Sequence, residues 1–126
     1  MSKPVVHVVF GNQGSYSDHS VWAVRAFPLC SQAVEFAARC RSDASRMARA
    51  YDTIMDAHRA ECRKHGATFV SSIKDPAVRK TVEDSWDRAS ERIKKIAPGV
   101  DPAVAAASAG GTDYSVEAVP LGPPQA

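Results

Sequence analysis

The sequence lacks a hydrophobic run long enough to cross a membrane, and it contains few cysteines. A transmembrane helix needs ~20 apolar residues, and the start of the chain also lacks the apolar core and cleavage site of a secretory signal. The three cysteines, Cys30, Cys40 and Cys62, have no C-x-x-C spacing, which argues against a disulfide framework or a zinc knuckle. We therefore expect a cytoplasmic protein with reduced cysteines.

A dominant charge of one sign is missing as well. Sixteen lysines and arginines are balanced by fourteen aspartates and glutamates, which counts against a general nucleic-acid binder and against an acidic DNA mimic. The sequence has no H-E-x-x-H motif, no G-x-S-x-G elbow and no phosphate loop. We therefore expect a single domain without a metal, a cofactor or a catalytic motif.

What the sequence does contain near its start is the pattern of a β-hairpin. Segments 5–10 and 21–27 are rich in Val, Phe, Ala and Trp, and the polar residues Gly, Asn, Ser and Asp lie between them. Both faces of both strands are mostly apolar. A two-stranded ribbon cannot bury so much apolar surface alone, so other elements must cover one face, and a partner chain is a candidate cover for part of the other.

A long helix is predicted near 31–65, with Ser31 as its N-cap, because Pro and Gly are absent and apolar residues recur at steps of four and three. Such a helix extends ~51 Å, whereas a compact chain of this length has a radius of gyration of roughly 14 Å. It therefore either breaks near 42–45 or packs its seam on another helix of the same chain or of a second copy. The candidate dimer seam consists of Met47, Tyr51, Ile54 and His58.

A second helix is predicted near 76–97, where Asp75 is a good N-cap and Pro76 suits the first helical position. Its apolar stripe includes Trp86. Segment 67–73 fits either a linker with buried anchors or a short strand. The many Ala, Gly, Pro and Ser residues in segment 98–112 predict a flexible linker. A short helical turn after Asp101 is the alternative.

A third strand is predicted near 113–121, followed by a disordered tail at 122–126. Taken together, the pattern predicts one α+β domain over residues 1–121. Its three-stranded, mainly antiparallel sheet would consist of the hairpin near 5–27 and the C-terminal strand. Two long helices would pack against that sheet.

The hairpin loop holds the candidate partner-binding residues, which are Ser15, Tyr16, Ser17, Asp18 and His19. A long turn whose side chains satisfy their own backbone is the alternative interpretation. Serine, aspartate and histidine in one loop are the residue types of a hydrolase triad. Triad members, however, normally come from separate rigid elements, so we expect no catalytic residue and no enzyme.

A second candidate site is a possible anion-binding set of His7, Gly11, Gly14 and Arg25. The glycines allow close backbone approach, and histidine with arginine can bind phosphate. For Arg25, an ion pair with Glu117 across the sheet is the alternative. The two tryptophans, Trp22 and Trp86, fit core positions better than ligand-stacking positions.

The segment strand–Gly11-x-x-Gly14-x-Tyr16-Ser17-Asp18-x-x-x-Trp22–strand, followed by an Ala-rich helix and closed by residues 114–119, resembles a group of small uncharacterised proteins encoded by bacteriophages and prophages. The resemblance covers residues 5–40 and 113–121, about a third of the chain. That group has no established activity, so no catalytic residues carry over. The resemblance implies a small phage accessory protein that acts by binding.

We therefore expect a non-enzymatic phage-type accessory protein that inhibits a host factor or defence complex by direct protein binding. An anti-CRISPR or another anti-defence inhibitor would be an example. The alternative is a sponge that sequesters a nucleotide-like, phosphate-containing signal, and a small enzyme of unknown class comes third. The expected partners are a host protein or complex and a second copy in a homodimer, in the cytoplasm of a bacterial host, with neither membrane nor nucleic acid indicated.

Overall fold

The computed structural model describes residues 4–14, 19–66 and 73–122. In chain order these ranges contain β1 (Val5–Gln13), β2 (Ser20–Phe27), α1 (Cys30–Lys64), α2 (Pro76–Lys94), a short 3-10 helix (Ala106–Gly111) and β3 (Thr112–Pro120). The predicted α+β class, with a three-stranded antiparallel sheet and two long helices, is confirmed. None of the described helices is long and apolar enough to cross a membrane.

The sheet has the strand order β2-β1-β3, and both pairings are antiparallel. The last strand therefore returns beside the first, as predicted. The register between β1 and β2 shifts once, because Val9 pairs with Arg25 while Phe10 pairs with Ala23. Val24 is the extra residue of this β-bulge, which bends the strand and increases its local twist.

Helix α1 runs for 35 residues without a break, a length of about 53 Å. A break near 42–45, one of the two alternatives for this helix, does not occur. The helix begins at Cys30, so the predicted N-cap, Ser31, is wrong. Instead, the backbone N–H of Leu29 donates to the Gln32 side-chain oxygen over 3.3 Å, which satisfies one of the free N–H groups at the helix start.

The long helix avoids exposing its seam because it packs into two separate apolar clusters. The larger cluster joins the sheet to the first half of α1 and to the 3-10 helix, and it contains Val9, Ala33, Phe36, Ala37, Cys40, Ala44, Met47, Val104, Ala109 and Tyr114. The smaller cluster joins the end of α1 to α2 through Cys62, Ile73 and Val82. Of the ambiguous segment 67–73, only Ile73 lies within the described residues.

Helix α2 begins as predicted. Pro76 is its first residue, and the Asp75 carboxylate accepts a 2.9 Å hydrogen bond from the Ala77 N–H. The prediction that Trp86 is a core residue is wrong, since 44% of it is exposed. The side of α2 that faces α1 is centred instead on Val82, Ser85 and Ala89, because Ser85 reaches a buried histidine on α1.

Residues 98–112, predicted as a flexible linker, lie against α1 in the structure. Arg46 donates to the carbonyl oxygens of Ala97 and Pro98, at 2.9 and 3.2 Å. Asp43 accepts from the Val100 N–H at 2.9 Å. Further along, Asp101 is only 4% exposed, so this segment contributes to the core rather than only connecting α2 to β3.

Candidate functional site

The predicted partner-binding loop lies mostly outside the described residues. Ser15, Tyr16, Ser17 and Asp18 all fall there, whereas His19 is described and exposed. Gly14 precedes the loop with a φ of 82°, a left-handed conformation that favours glycine. Partner binding by this loop therefore stays a prediction, and its position is at the end of the β1–β2 hairpin.

The predicted anion-binding residues are only partly brought together. His7 pairs with Phe27, and Arg25 pairs with Val9, so His7 and Arg25 occupy diagonal positions on the face that packs against α1. Gly14 is seven positions beyond His7, which corresponds to ~23 Å along an extended strand. Gly11 has a packing role, because a Cβ atom there would lie 2.5 Å from the Trp22 indole.

Arg25 does not pair with Glu117, because β1 separates the strands that carry them. Its guanidinium lies over two aromatic rings, 5.2 Å from the centroid of Phe27 and 5.6 Å from that of Phe36. The same side chain lines a surface depression of about 240 Å³, together with Gln32, Glu35 and Arg39. The depression thus presents two arginines, a carboxylate and an amide beside an aromatic floor.

The predicted dimer seam is largely used within the monomer. Met47 belongs to the larger core cluster, and Ile54 and His58 are buried at 6% and 9% exposure. Tyr51 is half-buried and lines a cleft of about 310 Å³ that Gly14 also lines. Homodimerisation stays a prediction, and light scattering would test it, but it would have to use a different surface.

The most specific polar contact between the helices is made by His58. Its Nδ1 lies 3.0 Å from the Ser85 Oγ, and its Nε2 lies 3.6 Å from the Cys62 Sγ. The Trp86 ring covers the imidazole at a centroid distance of 5.3 Å. All three partners of the hydrogen-bonded chain are buried, so the cluster satisfies buried polar groups and fixes how α2 lies on α1.

A second buried polar cluster centres on Asp101. One carboxylate oxygen accepts hydrogen bonds from the Trp22 indole at 3.1 Å and the Tyr114 hydroxyl at 2.9 Å, and the other accepts from the Ala103 N–H at 3.0 Å. Burial and this hydrogen bond raise the pKa of Tyr114 above its usual 10. Burial, with the nearby carboxylates of Asp101 and Asp43, raises the pKa of Cys40 from 9 to about 11.

These raised pKa values predict that the protein loses stability at alkaline pH. A group whose pKa is higher in the folded state than in the unfolded state contributes to stability. This contribution is fully present below the unfolded-state pKa, and it is lost as pH rises through the folded-state pKa. For Cys40 the window runs from pH 9 to about 11, and Tyr114 adds to the loss above pH 10. Urea unfolding measured across that range checks the prediction.

The matched variants for this measurement are two cysteine substitutions. Cys40→Ala should flatten the decline that begins at pH 9, whereas Cys30→Ala should leave it unchanged because Cys30 is exposed. An equal decline in wild type and Cys40→Ala would show that the buried thiol is not responsible.

The outer face of the sheet, opposite α1, is unusually apolar. Side chains of cross-strand partners share a face, so the register assigns ten residues to this outer face: Val6, Val8, Phe10, Asn12, Val21, Ala23, Ala26, Ser115, Glu117 and Val119. Asp113 pairs with Asn12, but its carboxylate reaches Arg41 on α1. Of the described residues, none on this face belongs to either buried cluster. An antiparallel sheet that is covered on one side normally presents polar residues on the other.

The usual alternation of apolar and polar sides is absent from β1. Its helix-facing side combines the buried Val9 with His7 and Gly11, while the outer side presents Val6, Val8 and Phe10, all partly exposed. On β2, Val21 is 59% exposed. Contiguous apolar surface of this kind marks interaction sites, so the outer face is the strongest candidate site. Sequence reasoning found the apolar strand faces, but it could not tell which face the helices leave uncovered.

Within the described ranges, no group of three or more His, Cys, Asp or Glu side chains could hold a metal ion. The comparisons with known proteins give no relative: no family model, no curated protein and no solved structure matches this chain. Function therefore has to be argued from the outer face and its surroundings.

Proposed function

We propose that this protein is a phage-type accessory protein that inhibits a host factor or defence complex by direct protein binding in the bacterial cytoplasm. The observation that supports the proposal is the apolar outer face, which the described elements leave partly exposed. The hairpin loop predicted to bind a partner begins at the end of the same sheet. The phage context comes from the resemblance of the hairpin and the last strand.

The edges of the sheet support binding through the face rather than through strand addition. The β2 edge carries the bulge at Val24 and the charged Arg25, and the β3 edge ends in Pro120 and carries Glu117. Bulges, charges and proline are the features by which natural sheets prevent pairing at their edges. A partner therefore finds its most favourable contact area on the outer face.

The proposal predicts rescue of phage growth in a host that carries a defence system. The protein is expressed in a panel of bacterial strains, each with one defence system, and phage plating efficiency is measured. Ala23→Arg should abolish the rescue, because it places a long charged side chain on the outer face at an exposed position. Ala60→Arg makes the same change at an exposed position on α1 and should retain it.

Affinity purification from the responsive strain should then recover one stoichiometric complex that Ala23→Arg loses. A double substitution, Tyr16→Ala with Asp18→Ala, tests the loop separately. The proposal is refuted if no strain in the panel responds, or if both arginine variants rescue phage growth equally well.

The sponge hypothesis keeps one observation in its favour, the depression where Arg25 and Arg39 lie beside the rings of Phe27 and Phe36. Guanidinium groups bind phosphate, and the Glu35 carboxylate in the same depression opposes an anion. A nucleotide at a hundred times its Kd would stabilise the protein by about 2.7 kcal/mol. Thermal shifts with nucleotides and cyclic dinucleotides test this alternative, and Arg25→Ala should remove any shift.

A further inference from the structure

A cleft of about 230 Å³ lies between the two long helices, at the C-terminal half of each. Its polar lining consists of His58 and Glu61 from α1 and of Ser85, Arg88 and Arg92 from α2. The three α2 residues are spaced at i, i+3 and i+7, so they lie on one face of that helix. Because only the two helices line this cleft, it is separate from the outer face of the sheet.

The two arginines of the cleft carry positive charge that the described part of the chain does not neutralise. Neither guanidinium has a hydrogen bond or an ion pair with a residue in the ranges 4–14, 19–66 and 73–122. Two acids lie at helical spacing from Arg88, but the Asp84 carboxylate is 3.7 Å from the Lys80 ammonium. The Glu91 carboxylate is likewise 3.3 Å from the Lys94 ammonium. Both local partners of Arg88 are therefore already engaged.

The surroundings of Arg92 are more positive still. Arg92 has no acid at the positions three and four residues before or after it, and Arg88 stands at i−4, where like charges repel. Across the cleft, Glu61 is the one acid in the described lining, and its Oε1 lies 3.3 Å from the His65 Nε2. Two guanidinium groups thus face a single carboxylate that already has a partner, and an anion in the cleft would relieve their mutual repulsion.

The buried part of the lining adds a hydrogen-bond donor for such an anion. His58 and Ser85 are 9% and 8% exposed, and the His58 Nδ1 lies 3.0 Å from the Ser85 Oγ. When the imidazole donates this hydrogen bond, the Ser85 hydroxyl keeps its own hydrogen for a ligand, because a hydroxyl can accept and donate at the same time. A hydroxyl and two guanidinium groups together suit a ligand with several acceptor oxygens and more than one negative charge, as phosphate has.

We propose that this cleft binds a small phosphate-containing anion, held by Arg88, Arg92 and the Ser85 hydroxyl. The volume limits the ligand. A water molecule occupies about 30 Å³, and pockets for larger ligands begin at about 300 Å³, so the cleft suits inorganic phosphate or a phosphate monoester with a small substituent. The inference goes beyond the proposed protein-binding function and does not rest on it.

The test titrates the purified full chain with sodium phosphate, with sodium chloride at the same ionic strength as the reference. Thermal unfolding and phosphorus NMR line widths report binding. Phosphate should raise the Tm until the site is saturated, whereas chloride should not. Arg88→Gln and Arg92→Gln should each weaken phosphate binding about tenfold, because each removes a charge-assisted contact. Both side chains are exposed, so neither substitution should prevent folding. A parallel titration with glycerol phosphate shows whether the free or the esterified group binds more tightly.

The matched controls remove positive charge elsewhere. Arg63→Gln does so at an exposed position on α1 outside the cleft lining, and Arg25→Ala does so in the depression beside the sheet. Both variants should bind phosphate as the wild type does. Ser85→Ala removes the hydroxyl donor and should weaken phosphate binding, whereas Ser90→Ala on the same helix should leave it unchanged.

Three outcomes overturn the proposal. An equal rise in Tm with chloride would show that salt only screens the repulsion between Arg88 and Arg92. An unchanged phosphate affinity in both glutamine variants would show that the arginines do not hold the anion. Loss of phosphate binding in Arg25→Ala would place the anion in the other depression. Because Ala23→Arg on the outer face should leave phosphate binding unchanged, failure of phage rescue and failure of phosphate binding are separate results.

Discussion

Replacing Asp101 with alanine is expected to lower the free energy of unfolding by about 4 kcal/mol. The substitution leaves the Trp22 indole N–H, the Tyr114 hydroxyl and the Ala103 N–H without their acceptor. Hydrogen bonds to a charged group contribute about 1.5–3 kcal/mol each, and a buried donor left without an acceptor bears its full desolvation cost. The loss should extend beyond one contact, because these bonds connect the segment after α2 to both β2 and β3.

Urea unfolding followed by far-UV circular dichroism measures this effect. Asp87→Ala is the matched control, because Asp87 is exposed on α2 and its loss should change stability by at most about 0.5 kcal/mol. Tyr114→Phe removes one of the three donors and should cost about 2 kcal/mol. A cost below about 1 kcal/mol for Asp101→Ala would show that the carboxylate does not hold the segment in place.

Gly11→Ala is the second substitution with a large expected effect, a loss of about 3 kcal/mol. The added methyl group would lie 2.5 Å from the Cε2 and Cζ2 atoms of Trp22. The indole cannot move aside easily, because its N–H is bonded to Asp101 and it packs against the larger core cluster. Overpacking of a filled core is destabilising even when only one carbon is added.

A double-mutant cycle shows whether the clash is the cause. Once Trp22→Ala has removed the indole, Gly11→Ala should cost little, and the coupling energy should be at least about 2 kcal/mol. Gly111→Ala is the control, since a Cβ there meets nothing within 4 Å and the change should be neutral or slightly stabilising. Equal costs of Gly11→Ala with and without the indole would contradict the explanation.

The sequence predicts the elements better than it predicts their surroundings. Local signals mark these elements. Alternating apolar residues mark the hairpin and β3, while Asp75-Pro76 and the absence of helix breakers mark α2. Their bounds could therefore be placed within a few residues. Which face of each element becomes buried depends on residues that are distant in sequence. Trp86 illustrates this, since its spacing fits the stripe of α2, but α2 is oriented by the contact of Ser85 with His58.

The candidate site likewise combines features that can be read from the sequence with features that require the structure. The apolar character of both faces of β1 can be read from the sequence, because the alternating positions are visible there. Which face remains exposed could not be predicted, since that depends on where α1 crosses the sheet. The grouping of His7 with Arg25 followed from strand pairing, whereas the position of Gly11 under Trp22 required the register across the bulge.

The sequence by itself determined that this chain is an α+β domain with a sheet formed by its two ends and two long helices. Those properties follow from periodicity and from local start and stop signals, which act over a few residues. Only the tertiary structure decided that the helix seam is buried within the monomer, that residues 98–112 pack through Asp101, and that one apolar sheet face belongs to neither buried cluster of the described residues. The physical reason is that burial and hydrogen bonding depend on residues far apart along the chain, and a sequence pattern does not specify how those residues meet.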